Sequence, residues 1–335
     1  MYYNICNYHK TGPCRYRDRK GTMSIIIEVN QLSVHFPLST ATVKAVDGVD
    51  LAVEERETLA IIGESGSGKS VLGTAILGLF PPTCTVSGTI TYEGKDLLCL
   101  SEEQLRSVRG LQIAWIPQNP ASALNPSMRT GLQVGEPLSR QAGWTRERIH
   151  ERVLELFAKF RVLPPEERSQ AYPDSYSGGM LQRSLVAMGT SASPKVIIAD
   201  EPTKGVDTLN KESIATAFRE VRNQGITLVV ITHDLDFARE LADRVVVMYN
   251  GAVLEISDKE RFFERPLHPY SAGLLRSLPE NGLVPIPGRA TARDGAFTSG
   301  CRFRSRCPGA GERCAEEPPL IRARHDDAVR CWNYD

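Results

Sequence analysis

The chain has 335 residues, of which 41% are hydrophobic and 24% charged, and its 40 basic residues balance 40 acidic ones. This composition is typical of a globular protein of about two domains, and it excludes a disordered chain or a disulfide-stapled miniprotein. The zero formal net charge gives no reason to expect nucleic acid or a membrane surface as a partner. No apolar run approaches the roughly 18–20 residues needed to cross a bilayer, so a function at a membrane would need another subunit to span it.

The N-terminal part changes character at residue 23. Residues 1–22 show no apolar period and no secretory signal, and we interpret them as a disordered extension or a mis-assigned start before Met23. The apolar pattern then predicts three strands and a helix, which Pro81 and Pro82 end. These elements are Ile25–Val29, Val43–Val53, Thr58–Ile62 and Lys69–Phe80.

Helices and strands continue along the middle of the chain. The predicted helices are Ser101–Arg109, Arg146–Phe160, Gly178–Ser191, Lys211–Asn223 and Leu235–Ala242, and the predicted strands are Val196–Ala199, Thr227–Thr232 and Arg244–Tyr249. Strands that alternate with helices predict an α/β fold with a doubly wound, mainly parallel sheet. From about residue 258 the chain is rich in Pro, Gly, Arg and Cys, which predicts a small C-terminal appendage.

A phosphate-binding loop follows the third predicted strand. The pattern G-x-x-x-x-G-K-[ST] is matched by Gly63-Glu64-Ser65-Gly66-Ser67-Gly68-Lys69-Ser70, and a helix follows it. The glycines let backbone N–H groups surround an anion, and the helix N-terminus adds positive charge. We expect Lys69 to neutralise the β- and γ-phosphates and Ser70 to bind Mg²⁺. A chance Gly/Ser-rich turn is the alternative, which the order strand, loop, helix disfavours.

An acidic pair closes a second apolar strand. Asp200 and Glu201 follow Val196–Ala199, at the strand end where ligands lie in such sheets. We expect Asp200 to hold Mg²⁺ and Glu201 to act as general base toward the attacking water. A surface acidic pair without catalytic function is the alternative.

A second anion cradle opens a later helix. Ser177, Gly178 and Gly179 lie at a predicted helix start, as in the first loop but without a lysine. Two cradles so far apart in sequence suggest nucleotides shared between subunits. Here the sequence resembles the ATP-binding cassette (ABC) ATPases, whose signature motif is this Ser-Gly-Gly helix start, and the resemblance covers roughly residues 24–279.

The resemblance implies roles for four further residues. Phe36 matches the aromatic that stacks on adenine, and Gln118 matches the glutamine that senses Mg²⁺ and the γ-phosphate. Asp207 matches the D-loop aspartate, and His233 matches the histidine that contacts the γ-phosphate. Phe36 as a core aromatic and His233 as a structural histidine are the alternatives. Two departures from the family pattern are Met180 in the signature and the D-loop Lys-Gly-Val-Asp.

The resemblance also implies an ATPase that drives transport. ATP and Mg²⁺ would bind between two ATPase subunits, and the resemblance favours a paralogue over an identical chain as the second. Two transmembrane permease subunits and an extracytoplasmic substrate-binding protein would complete the transporter, with this chain peripheral on the cytoplasmic face of the membrane. The helical segment of about 101–174 would receive a permease helix. The fold implied is a P-loop NTPase sheet with an antiparallel β part, a helical subdomain and a small Cys-containing C-terminal appendage. The division implied is an ATPase domain over 23–257 and an extension over 258–335.

The C-terminal extension indicates which class of cargo the transporter carries. The stretches Arg265–Ser271 and Ile286–Gly288 and the Cys-Arg-Phe at Cys301 resemble ATPases of dipeptide, oligopeptide and nickel importers. Peptides are the favoured cargo, and nickel or a metal chelate is the alternative. A non-transport ABC ATPase is disfavoured because the chain has one cassette, no long heptad run and zero net charge. A regulatory subunit with weak hydrolysis is disfavoured by the intact Lys69, Asp200, Glu201 and His233.

Four of the eight cysteines cluster in this extension, at Cys301, Cys307, Cys314 and Cys331. Because no secretory signal is visible, metal ligation is expected before disulfides. The spacing lacks the C-x2-C pairs of zinc ribbons, which favours a [4Fe–4S] cluster over Zn²⁺. Reduced thiols that pack a small domain are the alternative.

Overall fold

Two β-sheets organise the chain in a computed structural model that describes residues 24–39, 41–206, 208–288 and 299–334. The predicted N-terminal extension and Asp207 lie outside these residues. The strands are β1 (Ile25–Pro37), β2 (Thr42–Glu54), β3 (Thr58–Ile62), β4 (Thr85–Tyr92), β5 (Lys95–Asp96), β6 (Ile113–Ile116), β7 (Val196–Asp200), β8 (Thr227–Thr232), β9 (Arg244–Tyr249), β10 (Ala252–Asp258), β11 (Ile321–Arg324) and β12 (Asp327–Val329). The α-helices are α1 (Lys69–Ile76), α2 (Glu102–Val108), α3 (Pro120–Ala123), α4 (Thr130–Ser139), α5 (Arg146–Lys159), α6 (Pro165–Gln170), α7 (Gly178–Ser191), α8 (Thr208–Asn223), α9 (Leu235–Leu241), α10 (Lys259–Glu264) and α11 (Pro269–Arg276).

The main sheet has eight strands in the order β11-β12-β10-β9-β3-β8-β7-β6. Its centre is parallel, since β3 pairs with both β8 and β9, and β7 pairs with β8 and β6 in the same direction. Strands β3, β7 and β8 are buried along their whole length, as expected for strands covered by helices on both faces. The predicted doubly wound, mainly parallel α/β fold is confirmed.

A smaller antiparallel sheet lies beside it, in the order β2-β1-β4-β5. Alternate apolar residues of β1 and β2 are buried, among them Val29, Leu32, Val46 and Val49, and they join the core formed with β3 and α1. The first residues of β2 and the turn after β9 lie beside the phosphate loop, where Gly68 approaches the Ala45 carbonyl oxygen and the Gly251 N–H donates to the Ser67 carbonyl oxygen. The second core cluster lies under helices α4, α5 and α7.

The predicted helical segment of about 101–174 is interrupted by a strand. Its helices α4 and α5 pack with α7, and α6 packs with α4 and α5, but β6 within the same segment pairs with β7 at the edge of the main sheet. The helical part is therefore best bounded by α3 and α7. Among the described residues, no helix has the length and apolar character needed to cross a bilayer.

The C-terminal extension does not pack apart from the rest. Strand β12 pairs with β10 and so continues the main sheet. Tyr249 of β9 contacts Tyr270 of α11 and Phe303, with ring centroids 4.7 and 5.5 Å away. The three rings belong to a core cluster that also contains Ile62, the last residue of β3. The extension thus shares a core with the strand that precedes the phosphate loop.

Candidate functional site

The functional residues predicted from sequence follow neighbouring parallel strands. Lys69 lies on the loop and helix after β3, His233 follows β8, the pair Asp200–Glu201 ends β7, and Gln118 follows β6. The order β3-β8-β7-β6 in the sheet places these carboxyl ends along one edge. This edge is where open α/β sheets bind their ligands.

The phosphate loop is shaped by two glycines that no other residue could replace. At Gly63 a Cβ atom would lie 2.1 Å from the Met248 carbonyl oxygen, and at Gly68 2.0 Å from that of Ala45. Gly68 also has a φ of +103°, which L side chains rarely adopt. The loop therefore needs backbone without side chains where it passes β2 and β9.

The Lys69 ammonium lies inside the loop. Lys69 is 4% exposed, and its Nζ donates hydrogen bonds to the carbonyl oxygens of Gly63 and Glu64 at 2.8 and 2.9 Å. Helix α1 begins at Lys69 with no side-chain cap on its N-terminus. A buried ammonium beside an uncapped helix N-terminus is well suited to phosphate oxygens.

Two oxygen donors for a divalent cation meet at the edge of this loop. The Ser70 hydroxyl donates a hydrogen bond to Asp200 Oδ1 at 3.0 Å. Burial raises the pKa of Asp200, and the hydrogen bond from Ser70 and the charge of Lys69 oppose that rise. A hydroxyl and a buried carboxylate fit Mg²⁺, which prefers oxygen ligands and would keep the carboxylate ionised. Bound there, Mg²⁺ would neutralise charge on the β- and γ-phosphates.

Glu201 is held in a strained conformation next to His233. Its φ is +48°, although it is not glycine, and its backbone N–H donates to the Ile231 carbonyl oxygen at 2.7 Å. Glu201 is 8% exposed. Its Oε2 lies 2.6 Å from His233 Nδ1 and also accepts the His233 backbone N–H at 3.3 Å. The arrangement holds a carboxylate at the strand ends, where it can orient a water and take its proton.

The signature residues form a separate cradle. Ser177 caps α7 by accepting the Met180 N–H at 3.3 Å. A Cβ at Gly179 would lie 2.6 Å from Asn210 Oδ1, whereas a Cβ at Gly178 would meet nothing among the described atoms within 4 Å. Gly179 is thus required by the chain's own packing, and Gly178 is not.

The signature borders a cavity of about 590 Å³ that also contains Gln118 and Lys204. Of the described residues that line this cavity, none belongs to the loop 63–70. The two anion cradles of the chain therefore open onto different spaces.

Two predicted site residues are not brought into this geometry. Phe36 is half-buried in β1, paired with Val43, and packs against the first core cluster. Asp207 lies outside the described residues. The stacking function of Phe36 and the D-loop function of Asp207 stay predictions.

The four C-terminal cysteines converge without forming a recognisable metal site. Burial raises the pKa of the Cys301 thiol to about 11, and the other three thiols add to that rise. The Cys301 N–H donates to the Cys314 carbonyl oxygen at 2.9 Å. None of the four forms a disulfide. In the described part of the chain no three His, Cys, Asp or Glu residues are placed to hold a metal ion.

Sequence reasoning missed two residues that contact the phosphate loop from the extension. The Glu64 N–H donates to the Tyr270 hydroxyl at 2.9 Å, and Arg306 Nη1 donates to Glu64 Oε2 at 2.9 Å. Only their surroundings could have indicated them, since Arg306 immediately precedes Cys307 in a stretch that resembles other importer ATPases.

Comparison with known proteins assigns the family. Residues 46–204 match the family described as ABC transporter, and residues 254–314 match the oligopeptide/dipeptide transporter C-terminal region. The dipeptide transport ATP-binding protein DppD of Bacillus subtilis is 39% identical over 324 residues, which cover 93% of this chain and 96% of that one. The chain belongs to the ABC transporter ATPases.

Further similarities agree with this assignment. The oligopeptide transport ATP-binding protein AppD of Bacillus subtilis is 36% identical, over 93% of this chain and 98% of that one. A solved dimer of the ATP-binding cassette MJ0796, in a post-hydrolysis state with ADP and Pi, is 28% identical with a TM-score of 0.62. The similar region covers 70% of this chain and 98% of the MJ0796 chain. As a member of this family, the chain binds ATP with Mg²⁺ and hydrolyses it.

Proposed function

We propose that this ABC ATPase energises the import of dipeptides or oligopeptides. The observation that carries the proposal is the C-terminal region, which matches the oligopeptide/dipeptide transporter type over residues 254–314. Relatives similar over nearly the whole chain are named as dipeptide and oligopeptide transport ATP-binding proteins. Nickel or a metal chelate is the second candidate cargo, because the sequence of the extension also resembles nickel importers.

In the proposed cycle, ATP binds between two ATPase subunits. Lys69 and the loop 63–70 of one subunit hold the phosphates, and Ser177 and Gly178 of the other close over them. The signature cavity supports this, since none of the described residues that line it belongs to the loop 63–70 of the same chain. Gly178 supports it too, because an exposed glycine that its own chain does not require leaves room for a ligand from outside.

The proposed division of chemistry follows the geometry at the strand ends. Asp200 and Ser70 hold Mg²⁺, Glu201 is the general base, and His233 orients it and senses the γ-phosphate. Gln118 follows β6 and lines the signature cavity, so it would link the bound nucleotide to the helical part. Phe36 would stack on adenine and Asp207 would act at the subunit interface, as the family resemblance implies.

A permease subunit is proposed to dock on the helical part. A groove of about 420 Å³ runs between α4, α5 and α6, with Leu132, Ile149 and Gln170 in its lining. Leu132 is 63% exposed and the nearby Met128 is 40% exposed. Large apolar side chains at the mouth of a groove are well suited to the apolar face of a partner helix.

The complete importer is proposed to contain two permease subunits, a second and paralogous ATPase, and an extracytoplasmic substrate-binding protein. This chain would then lie on the cytoplasmic face of the membrane, held there by the permease. No contact with nucleic acid is proposed.

For the cysteines we propose a [4Fe–4S] cluster rather than zinc. One zinc ion needs four sulfurs about 2.3 Å from a single point, whereas a cluster spreads its four thiolates over four irons. The spacing of the four cysteines supports the cluster, because it lacks the C-x2-C pairs typical of zinc ribbons. Under anaerobic purification, Cys301→Ser should remove a broad absorbance near roughly 400 nm. If metal analysis finds zinc, or no metal at all, the proposal of a cluster is refuted.

The proposed function is tested by purifying the tagged full-length chain from gently solubilised membranes of its native host. Two permeases and a second ATPase should copurify, and Leu132→Asp should lose them while it retains ATP binding. Reconstituted with its binding protein, the complex should hydrolyse ATP faster with peptides than with Ni²⁺ salts. Stimulation by Ni²⁺ alone would select the second cargo, and a chain recovered without permeases would refute the importer.

A further inference from the structure

The second residue of the phosphate loop is anchored at each of its polar groups. The Glu64 carbonyl oxygen accepts the Ser67 N–H at 3.1 Å and Lys69 Nζ at 2.9 Å, both within the loop. Its N–H and its carboxylate are instead held by Tyr270 and Arg306, which belong to the C-terminal extension. The corner of the loop thus depends on residues more than 200 positions away in sequence.

Tyr270 reaches the loop from a rigid position. It is fully buried at the start of α11, where its own N–H donates to His268 Nδ1 at 3.0 Å. Its ring packs on Tyr249 and Phe303, with centroids 4.7 and 5.3 Å away. Burial, and then the negative charge of Glu64, raise the pKa of Tyr270, so the hydroxyl stays protonated and available at neutral pH.

Arg306 reaches the same residue from a second direction. Its side chain is 6% exposed, and its Nε donates to the Pro287 carbonyl oxygen at 2.8 Å while Nη1 bonds Glu64. Its guanidinium also lies over the Tyr249 ring, 5.7 Å from the centroid. Burial lowers its pKa, but the hydrogen bonds to Glu64 and Tyr249 outweigh burial and raise it. Charge-assisted hydrogen bonds from a buried, pre-oriented guanidinium are among the stronger polar contacts in proteins.

We propose that Tyr270 and Arg306 are positioning residues of the ATP site, through which the C-terminal extension sets the affinity for ATP. Within the phosphate loop, both side chains bond Glu64, and they act on the rest of the loop through this residue. By fixing its corner, they hold the N–H groups after Glu64 in the arrangement that receives phosphate oxygens, so less ordering remains to be done when ATP binds. The proposal rests on ATP binding by the family and is independent of the transported cargo.

The decisive measurement is whether KM for MgATP changes while kcat does not, in the full-length chain. Tyr270→Phe removes one hydroxyl and leaves the ring packing in place. We expect KM and Kd for MgATP to rise roughly fivefold, the worth of one ordinary hydrogen bond, with kcat within about twofold of wild type. Tyr334→Phe is the matched control, because that hydroxyl, in the same extension, bonds the Leu267 carbonyl oxygen and not the loop.

Arg306 is tested with two substitutions and with a double-mutant cycle that includes Glu64. Arg306→Met should raise KM about tenfold, and Arg306→Lys, which keeps a cation near Glu64, should restore part of the affinity. Arg330→Lys is the matched control in the same extension. Arg330 donates to the Val253 and Pro318 carbonyl oxygens and not to the phosphate loop. Because Arg306 acts through Glu64, the double variant Glu64→Gln with Arg306→Met should bind ATP no more weakly than Arg306→Met alone.

Two results would overturn the proposal. If Tyr270→Phe and Arg306→Lys lower kcat or thermal stability while KM and Kd stay at wild-type values, the two residues only support the fold. If the effects of Glu64→Gln and Arg306→Met on Kd add in full, Arg306 does not act through Glu64. Glu64→Gln alone weakens the same ion pair from its 29% exposed partner, so a wild-type Kd in that single variant would refute the function of the contact even where an arginine variant folds poorly.

Discussion

Replacing Glu201 by Gln tests the proposal that Glu201 is the general base of ATP hydrolysis. The carboxamide has the shape of the carboxylate and can occupy the same strained backbone position, whose φ is +48°. It keeps a hydrogen bond to His233, 2.6 Å away in the wild-type chain, but it cannot take a proton from water. A positioned general base contributes about 10²–10⁴-fold in rate, or about 3–5 kcal/mol of barrier. We expect turnover to fall by that factor.

ATP binding should survive the same change. Glu201 bonds His233 and backbone atoms of β8 rather than the loop 63–70, and removing one negative charge near Asp200 favours an anionic ligand. The Kd for MgATP should therefore stay equal or become tighter. Single-turnover phosphate release with protein in excess measures the chemical step, and calorimetry measures the Kd.

The control for this experiment is Glu212→Gln, the same chemical change on the exposed surface of α8. It should leave both quantities at wild-type values. Phosphate release by Glu201→Gln within about tenfold of wild type would refute the assignment of Glu201 as base. A loss of ATP binding would instead show that the carboxylate organises the phosphate loop.

Three further predictions follow from the site and the helical groove. Lys69→Ala should weaken MgATP binding by at least about 100-fold in calorimetry, because the buried ammonium is the loop's own charge for phosphate. Asp200→Asn should abolish Mg²⁺-dependent turnover yet raise Tm by about 2–4 °C without nucleotide, because burial raises the pKa of Asp200 and so penalises its charged form. In Tm measured against pH, that gain should be full above the raised pKa and vanish as the pH falls below the ordinary value of 3.8, where the wild-type carboxyl is neutral too. A constant gain across that range would refute burial of charge as its cause. Leu132→Asp should abolish copurification with permeases while basal ATPase activity of the isolated chain stays within about twofold, since Leu132 is 63% exposed.

Buried strands were predicted best, because their apolar runs have sharp polar or glycine boundaries. The bounds of β3, β8, β9 and α7 are those expected from the sequence. Helix α1 was expected to reach Phe80, but it ends at Ile76 because Gly78 adopts a φ of +62° just beyond its last turn. Strand β4 was missed because its exposed face carries Ser and Thr, and β6 because four residues give no readable period.

The placement of the motif residues was predictable because each motif combines a local backbone requirement with a particular side chain. Gly63 and Gly68 are required by contacts with neighbouring backbone, and Lys69 and Asp200 follow strands whose order the fold class implies. The contact between Arg306 and Glu64 spans 242 residues and involves a loop with no period. Nothing in the local sequence of either residue indicates the other, so only the folded chain reveals it.

The pairing of β12 with β10 has a consequence for biogenesis. A ribosome delivers β12 last, so during translation β10 presents an open sheet edge and the rings of Tyr249 and Tyr270 lack Phe303. An open edge next to uncovered aromatic side chains invites pairing with other nascent chains, and it is a surface that chaperones and proteases bind. A chain truncated before β12 is therefore expected to aggregate more readily than the full chain.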